Sequence, residues 1–444
     1  MTRTASQTLG EHLARQRWFP GTEPPGTVRV VHRWVERTQW PRLIRLVVEA
    51  DGGLYQLVLA ERPAGEKDFL RGHDEVVVGE FGEGADRAVA YDAIHDPEAA
   101  LALLAGVAPD QVVERARVMG VEQSNSSVVY DERVILKLFR RLDTGPNPEV
   151  EITRGLADAG FPWVTAPLAT LSREGFDLAV AQPFLAGGVE GWALALTSLR
   201  DLFGVHDTLS VPVISLDSPP PPPDPGQAGG DFSAEARRLG ETMAGMHAAL
   251  ADAFGRSPGR ADEWADSIAE QVRQLEFPDG IDRAAAERKL DDLRAADPGP
   301  AIRVHGDLHL GQVMRTDAGW YVLDFEGEPA RPVEDRRRPS SALRDVAGML
   351  RSFHYASAVA TLERDAQDQE VGAAWEERNR AAFLRGYMSE ATKARVVPAD
   401  DRSVEALLAA FELEKAVYEL GYERSYRPHW ESIPVTALRR MVGQ

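Results

Sequence analysis

Alternating apolar and polar residues mark the first part of the chain. A period of two, which predicts half-buried strands, recurs in TVRVVHRWVE, LIRLVVEA and LYQLVLAER, and Gly and Pro residues separate these runs. Helical spacing is found in TLGEHLARQRW before them. The pattern from about Gln7 to Val89 predicts a leading domain of one helix and an antiparallel meander. A helix with an Asp cap and an early proline is predicted for Asp96–Gly106.

A strand-rich block follows. Three consecutive strands with short turns are predicted in VVERARVMGVEQ, SSVVYD and RVILKLFRRL. A helix is predicted to begin at Asn147-Pro148 and to end at Gly160, and two more strands follow in PLATLSR and DLAVAQPFL. Strands grouped around a single helix indicate a small lobe built on an antiparallel sheet.

After Gly187-Gly188 the apolar spacing becomes helical. Long segments of this kind include ARRLGETMAGMHAALADAF, ALRDVAGMLRSFHYASAVATLE and SVEALLAAFELEKAVYELGYERS. A proline run at Pro219–Pro223 interrupts them and predicts an extended, exposed loop. The chain is therefore predicted to be an α+β protein with three parts, at 1–92, 93–187 and 188–444.

Composition excludes several classes of protein. The 444-residue chain carries a formal net charge of −20, which repels nucleic-acid backbones, and we expect no nucleic-acid partner. No stretch approaches the roughly 20 apolar residues of a membrane span, and the first residues lack the apolar core of a signal peptide. The absence of cysteine excludes disulfides and thiolate metal sites. We predict a cytoplasmic protein without a membrane partner.

Two motifs carry the candidate chemistry, HGDLHLGQV (His305–Val313) and VLDFEGEP (Val322–Pro329). Phosphoryl transfer to a hydroxyl needs a carboxylate near the attacking oxygen, together with acidic and amide oxygens for Mg²⁺. We predict Asp307 as the catalytic base or aligning group. The predicted metal ligands are Gln312, Asp324 and Glu326. ATP and Mg²⁺ are the cofactors that this chemistry requires.

The spacing of these residues matches that of kinase-like enzymes. Gln312 lies five residues after Asp307, as does the metal-binding Asn of the H-x-D-x-x-x-x-N loop, and Gln offers the same carbonyl on a longer arm. Asp324 follows a short hairpin strand, as in the Asp-Phe-Gly turn. The alternative interpretation is a buried turn and a solvated acidic loop without a catalytic role.

A nucleotide site is predicted upstream. Lys137 in VILKLF is expected to reach the phosphates, with Glu151 as its partner and Glu149 as the alternative. A phosphate loop is predicted in EQSNSSVVY, where polar groups come from Ser124, Asn125, Ser126 and Ser127. An ordinary polar hairpin is the alternative. The hinge that pairs with adenine is predicted at Gln182 and Phe184.

Three histidines need separate interpretation. The spacing of His305 and His309 resembles a metal-binding pair, but the segment has the pattern of a loop, and zinc is disfavoured. His305 is expected to brace this loop through hydrogen bonds, and we place His309 in the substrate set. His247 is expected to be a packed helix residue with a local hydrogen bond.

The last long helix predicts an acceptor site. Lys415, Glu419 and Tyr422 share one face, Tyr426 extends it, and Trp430 follows the next turn. Charged groups bond hydroxyls and aromatic rings stack on C–H faces, so this face favours a sugar. The alternative is an exposed ladder of ion pairs with tyrosines packed inward.

These motifs resemble the bacterial maltokinases, relatives of aminoglycoside phosphotransferases. The resemblance rests on HGDLHLGQV, DFEGEPARP, LRDVAGMLRSF and KAVYELGYE…RPHW, and on LARQRWFPG (Leu13–Gly21) near the start. It covers nearly the whole chain. It implies a bilobal fold like that of eukaryotic protein kinases, with an antiparallel-sheet N-lobe, a mostly helical C-lobe and an extra N-terminal cap domain.

The resemblance also implies an activity. ATP would phosphorylate maltose at its anomeric hydroxyl, and maltose 1-phosphate would feed α-glucan synthesis. Asp307 would be catalytic, Lys137 would hold phosphates, and the sugar pocket would be lined by Lys415, Glu419, Tyr422 and Trp430. Association with a trehalose- and maltose-interconverting enzyme is a further expectation. The alternatives are a kinase for glucosamine or an aminoglycoside, and a non-catalytic scaffold with the same fold.

Overall fold

The computed structural model describes residues 5–21, 23–66, 74–82, 84, 87–119, 125–209, 231–278, 280–328, 331–364 and 366–443. The predicted loop at Pro219–Pro223 lies outside these ranges. The chain divides into two compact units. The first unit comprises Met1–Arg154 and Thr165–Ala186, and the second comprises Gly155–Val164 and Gly187–Gln444.

The first unit begins with one helix and a twisted antiparallel sheet, as the alternating pattern predicts. The helix is α1 (Ala5–Ala14), and the strands are β1 (Val28–Arg37), β2 (Arg42–Ala50), β3 (Gly53–Pro63), β4 (Val77–Phe81) and β5 (Ala88–Asp92). Their order in the sheet is β1-β2-β3-β5-β4. Apolar side chains of α1 pack on this sheet, with Leu13 and Trp18 buried in the shared core.

A second sheet in the same unit forms the predicted small lobe. Its order is β10-β11-β8-β7-β6, and its strands are β6 (Ala116–Val118), β7 (Asn125–Tyr130), β8 (Val134–Phe139), β10 (Ala169–Arg173) and β11 (Phe176–Pro183). Two helices accompany it, α2 (Pro97–Val107) and α3 (Pro148–Asp158). The Asp96 carboxylate accepts the Glu98 and Ala99 amides, which confirms the predicted cap of α2.

Hydrogen bonds join the two sheets of the first unit. The short strand β9 (Arg141–Leu142) pairs with β3. The fully buried Gln56 on β3 donates its side-chain amide to two carbonyls of the second sheet, those of Phe139 at 2.7 Å and Leu178 at 2.8 Å. Because buried carbonyls need partners, this amide fixes the register of one sheet against the other.

A buried arginine ties the same elements together. Arg140 is fully buried and donates to the Asp92 carboxylate at 2.6 Å and to the Ser126 hydroxyl at 2.9 Å. Its guanidinium also lies 5.4 Å from the ring centroid of Trp18. Strands β5 and β7 are therefore connected through one side chain.

The second unit is mostly helical, as the spacing after Gly187 predicts. Its helices are α4 (Gly191–Leu209), α5 (Ser233–Phe254), α6 (Ala261–Gln274), α7 (Arg283–Ala295), α8 (Val333–Arg336), α9 (Leu343–Thr361), α10 (Ala366–Ala394), α11 (Asp401–Tyr426) and α12 (Ser432–Val442). Aromatic side chains fill part of the core, where Phe232 contacts Trp320, Phe353 and Trp375. None of the helices in the described ranges has the length and apolar character that a membrane crossing needs.

Short strands complete the second unit. A three-stranded sheet has the order β12-β15-β16, made of β12 (Val189–Glu190), β15 (Val313–Arg315) and β16 (Trp320–Val322). A two-stranded ladder joins β13 (Ser257–Pro258) and β14 (Pro300–Ala301). The β15–β16 hairpin is the one predicted from WYVLDFEG, and it separates the two candidate motifs.

Candidate active site

The loop that carries Asp307 is held by helix α9. The buried carboxylate of Asp345 accepts the backbone amides of His305 at 2.8 Å and Gly306 at 2.9 Å. His247 on α5 bonds the same carboxylate at 3.0 Å. The motif search missed Asp345, because LRDVAGML predicts a helix and gives no sign of what its carboxylate meets.

Packing brings α9 very close to this loop. A side chain at Gly348 would place its Cβ 2.6 Å from the carbonyl oxygen of Leu308, so only glycine permits this approach. The Ser352 hydroxyl on the same helix accepts the Leu310 amide at 3.0 Å. The loop is therefore fixed at several backbone groups before any ligand binds.

The predictions for His305 and His247 have different outcomes. His305 bonds the carbonyl of Leu323 through Nε2 at 2.9 Å, which confirms that it braces the loop. His247 is packed in its helix as predicted, but its bonds are not local. Its partners are Asp345 and, through Nδ1 at 2.8 Å, Tyr387 on α10.

Asp307 and Lys415 form an ion pair. The Lys415 Nζ lies 2.9 Å from Asp307 Oδ1, and both side chains are about one-quarter exposed, at 23% and 22%. Burial acts to raise the pKa of Asp307, but the charge of Lys415 and the nearby His309 outweigh it and lower this pKa to about 2. Asp307 is therefore ionised at neutral pH. Burial opposes the charge on Lys415, but Asp307 and Glu328 raise its pKa above the usual value.

The hairpin brings two predicted metal ligands together. The Gln312 side chain donates through Nε2 to Asp324 Oδ2 at 3.1 Å. The backbone amide of Leu323 donates to the backbone carbonyl of Gln312 at 2.9 Å. Asp324 has a φ of +60°, a region that costs a non-glycine residue energy and is frequent at functional sites. Glu326 is half-buried, and its carbonyl accepts Arg336 Nη1 at 2.9 Å.

In the part of the chain that the structure describes, no group of three or more His, Asp or Glu side chains is arranged to hold a metal ion. The predicted metal set is different in kind, because one of its ligands is an amide. Gln312 and Asp324 each offer a side-chain oxygen to a metal ion, and the two side chains are joined by the hydrogen bond from the Gln312 amide nitrogen. Two protein ligands are typical of Mg²⁺ bound with substrate phosphates.

His309 lies in the same loop as Asp307. Its Nδ1 accepts the Gly311 amide at 3.0 Å, so in the neutral ring the proton resides on Nε2. Burial lowers the pKa of His309, against the opposing charge of Asp307. A neutral ring leaves an Nε2–H donor, which fits the predicted contact with a substrate oxygen.

A chain of buried and half-buried charges continues from Lys415. Glu328 Oε1 is 3.9 Å from Lys415 Nζ, and Glu328 Oε2 accepts Arg331 Nε at 2.6 Å. Arg331 Nη2 donates to Glu414 Oε1 at 2.8 Å, and Arg344 binds the other oxygen of Glu414. Sequence reasoning missed Glu328 and Glu414, because no motif specifies which arginines face them.

The predicted sugar face of α11 is partly occupied by arginines. Glu419 is buried and accepts Arg351 Nη2 at 2.5 Å and Nε at 3.0 Å. Arg351 therefore takes up part of the hydrogen-bonding capacity of Glu419, and a contact between Glu419 and a sugar stays a prediction. The guanidinium of Arg427 lies 5.2 Å from the ring centroid of Tyr422 and 4.4 Å from that of Trp430, covering one face of each half-buried ring.

Lys137, the lysine predicted to bind phosphates, lies in the first unit. Lys137 is half-buried at the centre of β8, where it pairs in register with Val180 and Ser127. Of its two candidate partners in the first turn of α3, Glu149 is buried and Glu151 is half-buried. The choice between them stays a prediction.

The predicted phosphate loop is only partly described. Ser124 lies outside the described residues, and Asn125, Ser126 and Ser127 form the first residues of β7, the strand predicted from SSVVYD. The Ser126 hydroxyl is taken by Arg140. The Ser127 hydroxyl is buried and has no hydrogen-bond partner among the described residues.

The predicted hinge lies at the end of β11. Gln182 donates its side-chain amide to the Thr165 carbonyl at 3.0 Å. The Phe184 amide donates to the Arg133 carbonyl at 2.8 Å, and the Phe184 carbonyl accepts the Ala186 amide at 3.0 Å. The Phe184 amide is therefore engaged, and an adenine contact there would use the second lone pair of its carbonyl.

Two family models match the chain. The model described as the maltokinase N-terminal cap domain matches residues 12–96, and the model of the phosphotransferase enzyme family matches residues 222–327. The first match contains the end of α1, from His12 onward, and the five strands β1 to β5. The second contains the loop of Asp307 and the β15–β16 hairpin.

Curated relatives match over most of the chain. A glucosamine kinase from Streptacidiphilus jiangxiensis is 31% identical over 368 residues, which are 78% of this chain and 78% of that protein. A glucosamine kinase from Mycolicibacterium smegmatis is 26% identical over 353 residues, 75% of this chain and 81% of the relative.

A solved structure has the same fold. It is a glucosamine kinase in complex with glucosamine, ADP and inorganic phosphate, with a TM-score of 0.69 and 22% identity, covering 99% of this chain and 100% of that one. A second crystal form of a glucosamine kinase gives a TM-score of 0.67 at 21% identity, over 98% and 99% of the two chains. These similarities confirm the predicted fold.

Proposed function

Because the chain belongs to the phosphotransferase enzyme family and begins with a maltokinase N-terminal cap domain, we propose that it is an ATP-dependent sugar kinase. The acceptor that we propose is maltose, phosphorylated at the anomeric hydroxyl to give maltose 1-phosphate and ADP. The observation that carries the kinase assignment is the ionised Asp307 on a hydrogen-bonded loop that also carries Gln312, the partner of Asp324.

In the proposed reaction the acceptor hydroxyl oxygen forms a bond to the γ-phosphorus of ATP. The bond from that phosphorus to the oxygen bridging to the β-phosphate breaks, and ADP leaves. Asp307 orients the hydroxyl and receives its proton, which passes to solvent. A carboxylate with a pKa of about 2 is a weak base, which is sufficient because a loose transition state releases the proton late.

Mg²⁺ would be held by Gln312 and Asp324, with Glu326 as a further acid in the same turn. Amide and carboxylate oxygens are the donors that Mg²⁺ prefers, and it keeps water and phosphate oxygens as its other ligands. When bound, the ion neutralises charge on the transferred phosphoryl group. Asp324 is already oriented by Gln312 Nε2 at 3.1 Å, which supports this assignment.

The nucleotide contacts from the first unit are also proposals. Lys137 would bind ATP phosphates, with Glu151 or Glu149 as its partner. Asn125 and Ser127 at the start of β7 remain candidates for phosphate contacts, since Ser126 is engaged by Arg140. A backbone contact to adenine is proposed near Gln182 and Phe184.

The charge balance of α11 favours a neutral acceptor over an amino sugar. Four of its carboxylates have arginine partners: Glu412 with Arg380, Glu414 with Arg331 and Arg344, Glu419 with Arg351, and Glu423 with Arg427. An ammonium group needs an acid that is not already compensated. The ammonium of Lys415 beside Asp307 would also repel such a group.

The aromatic residues of the same helix favour an acceptor with more than one ring. Tyr418, Tyr422 and Tyr426 follow one another, with centroid distances of 6.2 Å and 4.8 Å. Tyr426 is 72% exposed at the outer end of this row. Sugar C–H faces stack on such rings, and a row of them suits a disaccharide better than a single pyranose. Maltose satisfies both the charge and the length criteria.

The second candidate is glucosamine. The relatives that carry this name are the observation that favours it. Under this alternative, an amino sugar would bind at the α11 carboxylates that contact arginines, and the ion pairs between those carboxylates and arginines would have to break.

An assay of ATP consumption separates the two candidates. Maltose, glucose, glucosamine and an aminoglycoside should be compared at equal concentrations, with the phosphorylated position identified by NMR. We expect kcat/KM for maltose to exceed that for glucosamine by at least about 10-fold, with phosphate on the anomeric oxygen. Phosphate on the 6-hydroxyl, or no turnover of maltose, would contradict the proposal. Two further proposals depend on this result: that the product is used in α-glucan synthesis, and that the protein associates with a trehalose- and maltose-interconverting enzyme.

A further inference from the structure

Three groups of this chain lie close to the ammonium of Lys415. Asp307 Oδ1 lies at 2.9 Å, Glu328 Oε1 at 3.9 Å, and the ring centroid of Tyr418 at 4.8 Å. A lysine that binds substrate needs donor directions open to the ligand. Here Nζ donates a hydrogen bond to Asp307, while Glu328 and the Tyr418 ring lie within electrostatic range, so Lys415 is placed to act on Asp307.

Glu328 is itself fixed in place. Its side chain is only 8% exposed, and its second oxygen accepts Arg331 Nε at 2.6 Å. Arg331 in turn binds Glu414 at 2.8 Å, and Gln271 Nε2 donates to the same oxygen of Glu414 at 3.1 Å. Glu328 therefore presents Oε1 to Lys415 from a position set by two helices, α6 and α11.

We propose that Glu328 and Lys415 are positioning residues for the reaction, with Glu328 fixing Lys415 and Lys415 orienting the carboxylate of Asp307. This inference rests on the proposed function, in which Asp307 binds the acceptor hydroxyl. Lys415 occupies Oδ1 of Asp307 and leaves Oδ2 for that hydroxyl. The role of Lys415 in the sugar pocket is thereby replaced by a role one step away from the sugar.

The two roles of Lys415 predict opposite kinetic signatures. A sugar ligand contributes mainly to binding, so its loss raises the KM for sugar. A positioning residue contributes where the attacking oxygen must be aligned, so its loss lowers kcat. We expect Lys415→Met to lower kcat about 100-fold while the KM for sugar changes less than about 3-fold. Lys415→Arg keeps the charge and should recover part of the lost kcat.

Glu328→Gln tests the second link. This variant keeps the shape of the side chain and removes its charge, and we expect kcat to fall about 10-fold with the KM for sugar unchanged. The double variant E328Q/K415M should be no slower than K415M, because Glu328 acts through Lys415. In an Asp307→Asn background, K415M should lower the residual kcat less than about 3-fold.

Several outcomes would overturn the proposal. A KM for sugar raised 10-fold or more in K415M with kcat retained would make Lys415 a sugar ligand. Independent, multiplicative losses in E328Q/K415M would break the link between the two residues. A full further loss from K415M in the Asp307→Asn background would show that Lys415 does not act through Asp307.

A matched control and a folding check complete the experiment. Glu412→Gln removes an acid of the same helix that pairs with Arg380 at 2.9 Å, outside this chain of charges, and should retain kcat. Thermal unfolding and ATP binding, measured for each variant, separate misfolding from lost alignment. If the wild-type protein phosphorylates no sugar, the proposed function fails. If it is active and loses activity in D307N while K415M retains kcat, only the positioning role fails.

Discussion

Clusters of buried and half-buried charges serve different purposes in the two units. In the first unit Arg140 binds one acid, Asp92, and one hydroxyl, and its Nη1 has no hydrogen-bond partner among the described residues. In the second unit three acids alternate with three cations, in the order Asp307, Lys415, Glu328, Arg331, Glu414 and Arg344.

The difference lies in what each cluster controls. Arg140 joins backbone elements, since its partners lie on β5 and β7, and breaking it should affect stability. The alternating chain ends at Asp307 and sets the proton affinity of that carboxylate. Breaking it near Asp307 should affect turnover, and breaking it further away, at Glu414, should affect stability against acid.

Asp307→Asn is the largest expected effect and tests the turnover side of this comparison. Loss of the carboxylate that orients the hydroxyl should lower kcat by about 10²- to 10⁴-fold. ATP binding should persist, because it does not use this side chain in the proposed mechanism. Steady-state kinetics and nucleotide titration measure the two quantities. Activity within 10-fold of wild type would remove Asp307 from the reaction.

Arg140→Met tests the stability side. The substitution leaves the buried Asp92 carboxylate without its 2.6 Å partner, which typically costs about 3–5 kcal/mol. Urea unfolding should show this loss. Arg141→Met is the matched control, since the neighbouring Arg141 is exposed, and it should change stability by less than about 0.5 kcal/mol. Equal effects of the two substitutions would contradict the role assigned to Arg140.

Glu414→Gln tests, through pH, the part of the charge chain that lies away from Asp307. Burial opposes ionisation of Glu414, but Arg344 and Arg331 outweigh it and lower its pKa from 4.5 to about 2. A carboxylate with a lowered folded-state pKa stabilises the protein above its unfolded pKa. This contribution, about 3 kcal/mol at pH 7, is lost as pH falls from about 5 to about 2.

The measurement is urea unfolding of wild type and E414Q between pH 7 and pH 3. The stability of E414Q should depend less steeply on pH in the acid range, because one proton-linked group is gone. Glu263→Gln, at an exposed surface pair with Arg260, is the control and should leave the acid slope unchanged. Parallel curves for E414Q and wild type would contradict the assigned pKa of Glu414.

Much of the fold follows from local pattern. The alternation of period two predicted the meander of the first unit, and the Asp96 cap predicted the start of α2. The β15–β16 hairpin was predicted from WYVLDFEG. These signals are short in range, because a strand period or a cap depends on a few neighbouring residues. The spacing from Asp307 to Gln312 and the turn at Asp324 are local too, and together they identified the two residues that the hairpin brings into contact.

The parts that the sequence did not predict depend on residues far apart in the chain. Helical spacing correctly placed Lys415 and Glu419 on one helix. It did not predict that Arg351 would face Glu419 or that Asp307 would face Lys415. Tertiary packing decides such pairings.

The hydrogen bonds from Gln56 and the pairing of β3 with β9 bear on how this protein can be divided. The matched cap region ends at residue 96, yet Phe139 and Leu178 carbonyls and the Arg140 guanidinium find their partners before that point. A chain shortened to begin after residue 96 would expose an unpaired strand edge and an apolar core to other molecules, a recognised cause of aggregation. The sequence boundary of this domain is therefore a poor place to cut.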